Sequence, residues 1–391
     1  MRRVRSAVHV NNSTIEHVDV EVYRVGTPQA EADGTLCWDA TTAVVVRVHA
    51  GDTTGLGWTY SSSSAAAVIR EELAAVICGR DPFDIRGAWQ VMHRHCRNFG
   101  TRGLVMQALS AVDIALWDLK ARLCDLPLTV MLGQARSAVP IYGSGGFTTL
   151  DEIGLGEQIS EWRAAGCRSM KIKIGQDWGT AVARDLSRVE QVRELAGAEV
   201  DLMVDANGGY TLGQARRVGA ALDDLGVVWF EEPVSSDDIA GLGVLRNALR
   251  CDVAAGEYVS DLYGARQLAP ALDCLQLDAT RCGGYTGWLG CAAVAASRNL
   301  QVSAHCAPAL HAPVAACVTN LRHVEYFIDH TRLEPVLFNG VPAATGGTLT
   351  PCTTEPGHGM SLAPTAKRYR RSLQEFTPSI DQKKRHEQQR N

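Results

Sequence analysis

Three apolar runs, DLMVDAN, VVWFEEP and DVAAGE, each close on an acid, and those acids, Asp205, Glu231 and Glu257, stand at even intervals of 26 positions. That interval matches one strand-plus-helix unit in a parallel barrel of roughly 250 residues and eight repeats. If each run is an inner strand, the three carboxylates meet at the C-terminal mouth, where barrels of this kind keep their chemistry. Gathered carboxylates repel one another unless a cation neutralises them, and an all-oxygen set favours a hard divalent ion. The expectation is one Mg²⁺ per subunit. Taken singly, Asp205 reads equally well as a loop or N-cap residue, and Glu231 as a solvated loop acid. The coincidence of all three favours the metal.

Other groups flank this cluster. In SMKIKIG, Lys171 and Lys173 are two apart in a β-run and share a face, while Ile172 and Ile174 take the other. A lone KxK is ordinarily a solvated edge strand, but here it lies one strand before the acids. Two partly desolvated ammonium groups would depress each other's pKa and make a neutral amine available as a base. Beyond the acids, Asp278 closes QLD and His305 closes QVSAH on adjacent strands. An Asp that fixes the imidazole tautomer would give a proton-transfer dyad. His311 reads as a bystander. Glu325, in HVEYF, could donate a proton if its neighbours raise its pKa. A base on each side of a metal suits removal of the proton next to a carboxylate. The resulting enediolate could be reprotonated from the opposite face or could expel a β-hydroxyl as water.

The elements that must hold these groups follow from hydrophobic rhythm. Ile15 to Val25 alternates and Thr42 to Val48 is β-branched, so both read as strands, with the polar Thr27 to Thr41 between them as a functional loop. Gly55-Leu56-Gly57-Trp58 leads through Tyr60 and four serines to a helix over Ala65 to Cys78. Val105, Leu109, Val112, Leu116 and Leu119 form a buried helical stripe. Residues 1–135 thus read as an α+β domain. From 136 to 330 short apolar runs alternate with helical patterns, and eight runs fit a closed barrel: 139–142, 170–174, 202–204, 227–230, 253–255, 274–277, 301–304 and 323–327. After Phe327 no complete amphipathic helix is expected. Residues 331–366 should leave the barrel and return to the first domain, and the charged 367–391 should be a frayed tail.

With 391 residues and 46% hydrophobic content, the chain is long enough for two or three domains around a large core. A net charge of −5 with no basic aromatic stripe argues against nucleic acid. The 12 cysteines form no CxxC pair, and there is no HExxH, so zinc-ribbon and zincin chemistry are unsupported. The chain lacks a secretory leader pattern and any apolar run of spanning length, which points to a cytoplasmic protein with reduced thiols and small-molecule partners. GGYTG at Gly283 is not GxGxxG, so a dinucleotide oxidoreductase is disfavoured.

Read together, ALSAVDIALWDLKAR, KIKIG, VDAN, FEEP, AAGE, LDATRCGGYTGW, and SAH followed by HVEYF resemble the mandelate racemase branch of the enolase superfamily over nearly the whole chain. The resemblance implies a modified TIM barrel, (β/α)₇β, capped by an α+β domain built from the N-terminal region and the C-terminal segment. It implies that Asp205, Glu231 and Glu257 hold the metal. Lys173 and the His305–Asp278 pair would be the bases, and Glu325 an electrophilic hydrogen-bond donor. Lys171 would contact the substrate carboxylate, with Tyr60, Ser144 and Asn207 as further substrate-binding positions. It also implies a homo-oligomer, and two cap loops, about 27–41 and 58–64, closing over the substrate. YSSSS and PQAEADGT suit a polyhydroxylated acid. The expected reaction is dehydration of a sugar acid to a 2-keto-3-deoxy acid, with racemisation, epimerisation or cycloisomerisation of a sugar lactone or anhydro acid as alternatives. A barrel that binds a sugar acid without catalysis is the rival from another class, and an intact set of bases speaks against it.

Overall fold

The computed structural model describes residues 14–372. Its centre is a barrel of eight parallel strands: β4 (Val139–Gly145), β5 (Ser169–Lys173), β6 (Asp201–Asp205), β7 (Val227–Glu231), β8 (Asp252–Ala255), β9 (Cys274–Leu277), β10 (Gln301–Ala304) and β11 (Leu321–Phe327). Each pairs with the next in sequence, and β11 pairs with β4 to close the ring. Alternation along the strands decides what faces inward. Ile172, Val204, Phe230 and Leu275 join the large apolar cluster outside the ring. Tyr142, Met203, Trp229, Ala254 and Cys274 form a separate buried cluster. One alternation further along β4, β5, β6 and β7 from Tyr142, Lys171, Met203 and Trp229 come Ser144, Lys173, Asp205 and Glu231. The polar mouth therefore sits on an apolar floor.

The segment after the eighth strand differs from expectation. A helix, Ile328–Leu337, follows β11 directly, with Pro335 inside it. Its buried residues include Asp329, His330 and Glu334 besides Ile328, Leu333 and Leu337. Half of the buried face is polar, so no apolar stripe announced it.

The cap is a sheet in the order Arg370–Arg371, β1 (His17–Ala32), β2 (Cys37–Ala50), β3 (Thr53–Tyr60), with the Leu104–Leu123 helix packed on it. The five-residue apolar stripe of that helix is buried as its spacing required. Strand β3 escaped the sequence reading because Gly55 and Gly57 interrupt it. A Cβ at Gly57 would lie 2.3 Å from the Ala111 carbonyl oxygen, and one at Gly55 2.2 Å from that of Ala115. The glycines let helix and strand touch backbone to backbone.

Two further expectations are corrected. The 27–41 segment is not a loop: β1 and β2 run on to Ala32 and Cys37 around a register shift between Gly26 and Glu31, leaving only a short turn. The bulge supplies the twist that lets so long a hairpin bend over the barrel. At the other end, Pro364–Tyr369 forms a 3₁₀ helix and Arg370–Arg371 pairs with β1 at Val22 and Tyr23, so the return to the cap extends past residue 366. The rest of the charged tail lies outside the described residues. The returning chain is tied down through the buried carboxylate of Asp118, which accepts from Leu56 N (2.8 Å), His358 N (2.8 Å) and Arg122 Nε (2.7 Å). Among the described residues no helix is long and apolar enough to cross a membrane.

Candidate active site

Parallel pairing sets the geometry at the mouth. Lys173 is registered with Asp205, and Asp205 with Glu231, so the last inward residues of β5, β6 and β7 stand side by side. Glu257 follows β8 after Gly256, whose φ of 130° only glycine adopts readily. Carboxylate oxygens of Asp205, Glu231 and Glu257 come within 4.8 Å of one another, and all three residues are buried. Glu257 Oε2 has no hydrogen-bond partner, nor has Asn207 Oδ1 two residues beyond Asp205. A buried, oxygen-only trio with orphaned oxygens fits a hard divalent cation, which would supply the missing partners.

Lys173 donates to Asp205 Oδ2. Lys171 is fully buried between Glu231 Oε1 (2.5 Å) and Glu325 Oε1 (2.9 Å). Burial pulls the Lys171 ammonium down, but Glu231, Glu325 and Asp205 outweigh it and hold it well above the ordinary lysine range. For Lys173 burial is likewise outweighed, chiefly by Asp205. The mutual depression expected for the pair is thus reversed, because each ammonium faces carboxylates more closely than it faces its twin.

Across the ring, His305 Nδ1 lies 2.9 Å from Asp278 Oδ2. Burial pushes the Asp278 carboxyl up, yet the bond to His305 and the charge of Arg281 bring it below the usual carboxylate range. His305 Nε2 points away from Asp278 and sits 3.3 Å from Glu257 Oε2 and 3.2 Å from Cys306 Sγ. His311 is structural: its Nε2 accepts from Ala279 N at 2.8 Å and its Nδ1 donates to Cys306 O at 2.8 Å.

Glu325 departs from the proton-donor expectation. Although burial raises it, Lys171, His305 and Lys173 drive it well below the usual range. It accepts from Ser144 Oγ at 2.6 Å and from Cys306 N at 2.8 Å, so it is an ionised acceptor. Among the expected substrate contacts, Lys171 and Ser144 are therefore engaged within the protein. Tyr60 is too: its hydroxyl lies 3.2 Å from both Trp58 Nε1 and Glu334 Oε1, and its ring stacks on His330. Only Asn207 keeps an unpartnered side-chain oxygen.

Several residues at the site escaped the sequence reading. Arg281 bridges Glu257 Oε1 (3.0 Å) and Asp278 Oδ2 (3.3 Å), and its place three residues after Asp278 was the available signal. Glu232 is buried beside Glu257, Asp205 and Glu231, and burial followed by those neighbours pushes its carboxyl well up. His330 Nδ1 accepts from Ala307 N at 2.9 Å, and Glu334 from Ala309 N at 3.3 Å. With Glu325, they hold the turn after His305, in which Cys306 and Ala307 take positive φ of 51° and 40°. Asn207 and Glu232, just past β6 and β7, are left-handed as well. Non-glycine residues in this region cost energy and collect where side chains must be aimed.

The hairpin tip closes the mouth. Thr148 N donates to Ala32 O (2.8 Å) and Trp178 N to Gly34 O (3.0 Å). Thr41 bonds to Asp329, and Arg332 pairs with Glu31. Beneath this cover Lys173 and His305 are only 6% and 5% exposed.

Residues 154–366 match the family described as Enolase C-terminal domain-like, and residues 15–133 match the Mandelate racemase / muconate lactonizing enzyme, N-terminal domain. The chain is 33% identical over 330 residues to L-talarate/galactarate dehydratase of Salmonella typhimurium, covering 82% of this chain and 80% of the relative. It is 31% identical over 357 residues to 3,6-anhydro-alpha-L-galactonate cycloisomerase of Streptomyces coelicolor, covering 89% and 97%. The crystal structure of a mandelate racemase/muconate lactonizing enzyme-like protein from Rubrobacter xylanophilus superposes with a TM-score of 0.89 at 42% identity, over 92% of this chain and 100% of that one. The Salmonella dehydratase, solved with Mg and L-lyxarohydroxamate, superposes with a TM-score of 0.85 at 28% identity, over 95% and 96%. The chain therefore belongs to the enolase superfamily, in its mandelate racemase and muconate lactonizing enzyme group, and is an enzyme of the lyase or isomerase kind.

Proposed function

We propose that this enzyme removes the α-proton of a sugar acid and dehydrates the acid to a 2-keto-3-deoxy product. The observation that carries the reading is the placement of Lys173 on the second barrel strand and His305 after the seventh, with the carboxylate trio between them. Asp205, Glu231 and Glu257 would hold Mg²⁺, which when bound supplies positive charge against the enediolate. Lys173 and His305 address opposite faces of the α-carbon, and Lys173 would be freed to act as a base when Asp205, the carboxylate that holds its ammonium protonated, serves the metal instead. Asp278 keeps Nδ1 protonated, leaving Nε2 to take the α-proton or to deliver one to the departing hydroxyl. Glu325 orients Lys171 and the turn behind His305 rather than donating a proton. The polar hairpin over the mouth supports a hydroxylated substrate. The cysteines, all unpaired, support a reducing, cytoplasmic setting.

The cycloisomerase relative, which matches over 89% of this chain, favours a second reading: intramolecular expulsion of a ring oxygen. The two readings separate in one experiment. Enzyme with Mg²⁺ is incubated in D₂O with aldonic, uronic and aldaric acids and their lactones, followed by proton NMR and mass spectrometry. Loss of water with a 2-keto-3-deoxy product supports dehydration. An isomer without loss of water supports cycloisomerisation. α-Deuteration alone would make the enzyme a racemase or epimerase and overturn the proposal.

A further inference from the structure

The mouth contains a second convergence of ligand atoms, chemically unlike the first. His305, Cys306 and Glu325 each offer one donor atom to a group within 4.8 Å, and all three are buried. His305 Nε2 is 3.2 Å from Cys306 Sγ and 3.8 Å from Glu325 Oε2. In a tetrahedral zinc site with Zn–N about 2.0 Å, Zn–S about 2.3 Å and Zn–O about 2.1 Å, neighbouring donors stand about 3.3 to 3.6 Å apart. The observed separations bracket that range. The backbone explains why adjacent residues can chelate together. Cys306 takes a left-handed φ of 51°, and its thiol lies against the imidazole that precedes it. Glu325 Oε1 is held by Ser144 and Lys171, while Oε2 takes the Cys306 N–H, so the carboxylate is fixed in place. A set of imidazole nitrogen, sulfur and one carboxylate selects a soft or borderline ion such as Zn²⁺ over Mg²⁺, whereas the oxygen-only trio selects the reverse.

We propose that His305 Nε2, Cys306 Sγ and Glu325 Oε2 form a Zn²⁺ site distinct from the Asp205–Glu231–Glu257 trio, and that its occupation blocks turnover by engaging His305. On binding, the thiol proton leaves to solvent and the thiolate lone pair becomes the metal bond, with no change of oxidation state. Glu257 Oε2, 3.3 Å from His305 Nε2, borders both sites, so the two ions would be neighbours. The inhibition rests on the base role proposed for His305; the binding does not.

The test uses Mg²⁺-saturated enzyme. Co²⁺, a spectroscopic stand-in for Zn²⁺, is titrated into wild type, Cys306→Ser and His305→Asn. The thiolate-to-cobalt charge-transfer absorption in the near ultraviolet is read, and added Zn²⁺ should displace it. Cys306→Ala serves as a second variant should the serine fail to fold, judged by circular dichroism. The expected result is a band for one equivalent in wild type, lost without Cys306 and weakened in His305→Asn. Losing one ligand should also raise the Zn²⁺ concentration for half-inhibition by roughly tenfold or more. No band in wild type, or the same band without Cys306, overturns the site. So does equal Zn²⁺ inhibition of wild type and the Cys306 variant, which would mean displacement of Mg²⁺ from the trio. A Cys306-dependent band without inhibition would leave the site standing and remove the base role of His305.

Discussion

At Lys173 burial and charge pull in opposite directions, and charge wins because Asp205 touches the ammonium directly. The same contest decides Asp278 and Glu325, both buried acids held ionised by cationic neighbours. Asp278→Asn leaves the shape intact but lets the amide favour the wrong imidazole tautomer. The expected loss is about 10²- to 10⁴-fold in kcat with little change in KM. An unaltered kcat on a confirmed substrate would remove the dyad from the reaction. Glu334 behaves oppositely. Burial pushes it up to about 8, only partly offset by Ala309 N and Tyr60. A carboxyl raised above its ordinary 4.5 contributes stability that is present below that value and lost as pH rises through the raised one. Between pH 4.5 and 8 Glu334 should therefore lower the folding stability as pH rises, by on the order of a few kcal/mol in total, read as a falling melting temperature. Asp113 and Glu31, each pushed up to about 7 by burial, act in the same direction. Glu334→Gln, which stays neutral, should flatten the slope between pH 7 and 8. A slope as steep as wild type in that window would show that Glu334 is already ionised in the fold.

Among the elements, the long hairpin and the glycine-bearing strand are where backbone proximity matters most. A Cβ on Gly34 would lie 2.5 Å from the Ile174 carbonyl oxygen, so Gly34→Ala should lift the hairpin tip from the barrel. Because the contact is with the backbone of Ile174 and Gly175 and displaces no core side chain, the melting temperature should hold while kcat/KM falls by roughly tenfold or more. Equal loss of stability and activity would mean that the tip is not a separable cover. Gly57→Ala should do the reverse and destabilise the cap by about 1 to 3 kcal/mol or more, since the Ala111 carbonyl is fixed helix backbone. Denaturant titration checks this, and a neutral outcome would mean that strand and helix can separate without cost. These elements also mark the limit of legibility. The eight barrel strands were readable because buried parallel strands are continuous apolar runs ending in polar residues. Strand β3 was not, because its packing demanded glycine, and the Ile328–Leu337 helix was not, because it buries Asp329, His330 and Glu334.

Over the whole molecule, the residues carried on strands were the most legible. Asp205, Glu231, Lys171 and Lys173 are positioned by strand period and register alone. What sequence could not supply was mutual orientation within the crowded mouth. Lys171 and Ser144 are engaged by Glu325, and Tyr60 by Glu334, because a closed cap leaves buried polar atoms no solvent to turn to. Glu232 became visible only once the barrel had closed around it, and His330 only once Tyr60 of the cap stood against it.

The central claim is that Lys173 and His305 are bases on opposite faces of one α-carbon. The direct measurement is α-proton exchange in D₂O, read by proton NMR on a sugar acid or the matching pair of epimers, for wild type, Lys173→Ala and His305→Asn with Mg²⁺ present. The account predicts that each variant loses exchange from one configuration, by about 10²-fold or more, and keeps it from the other. Loss of exchange from both configurations in both variants, or from neither in either, would contradict it.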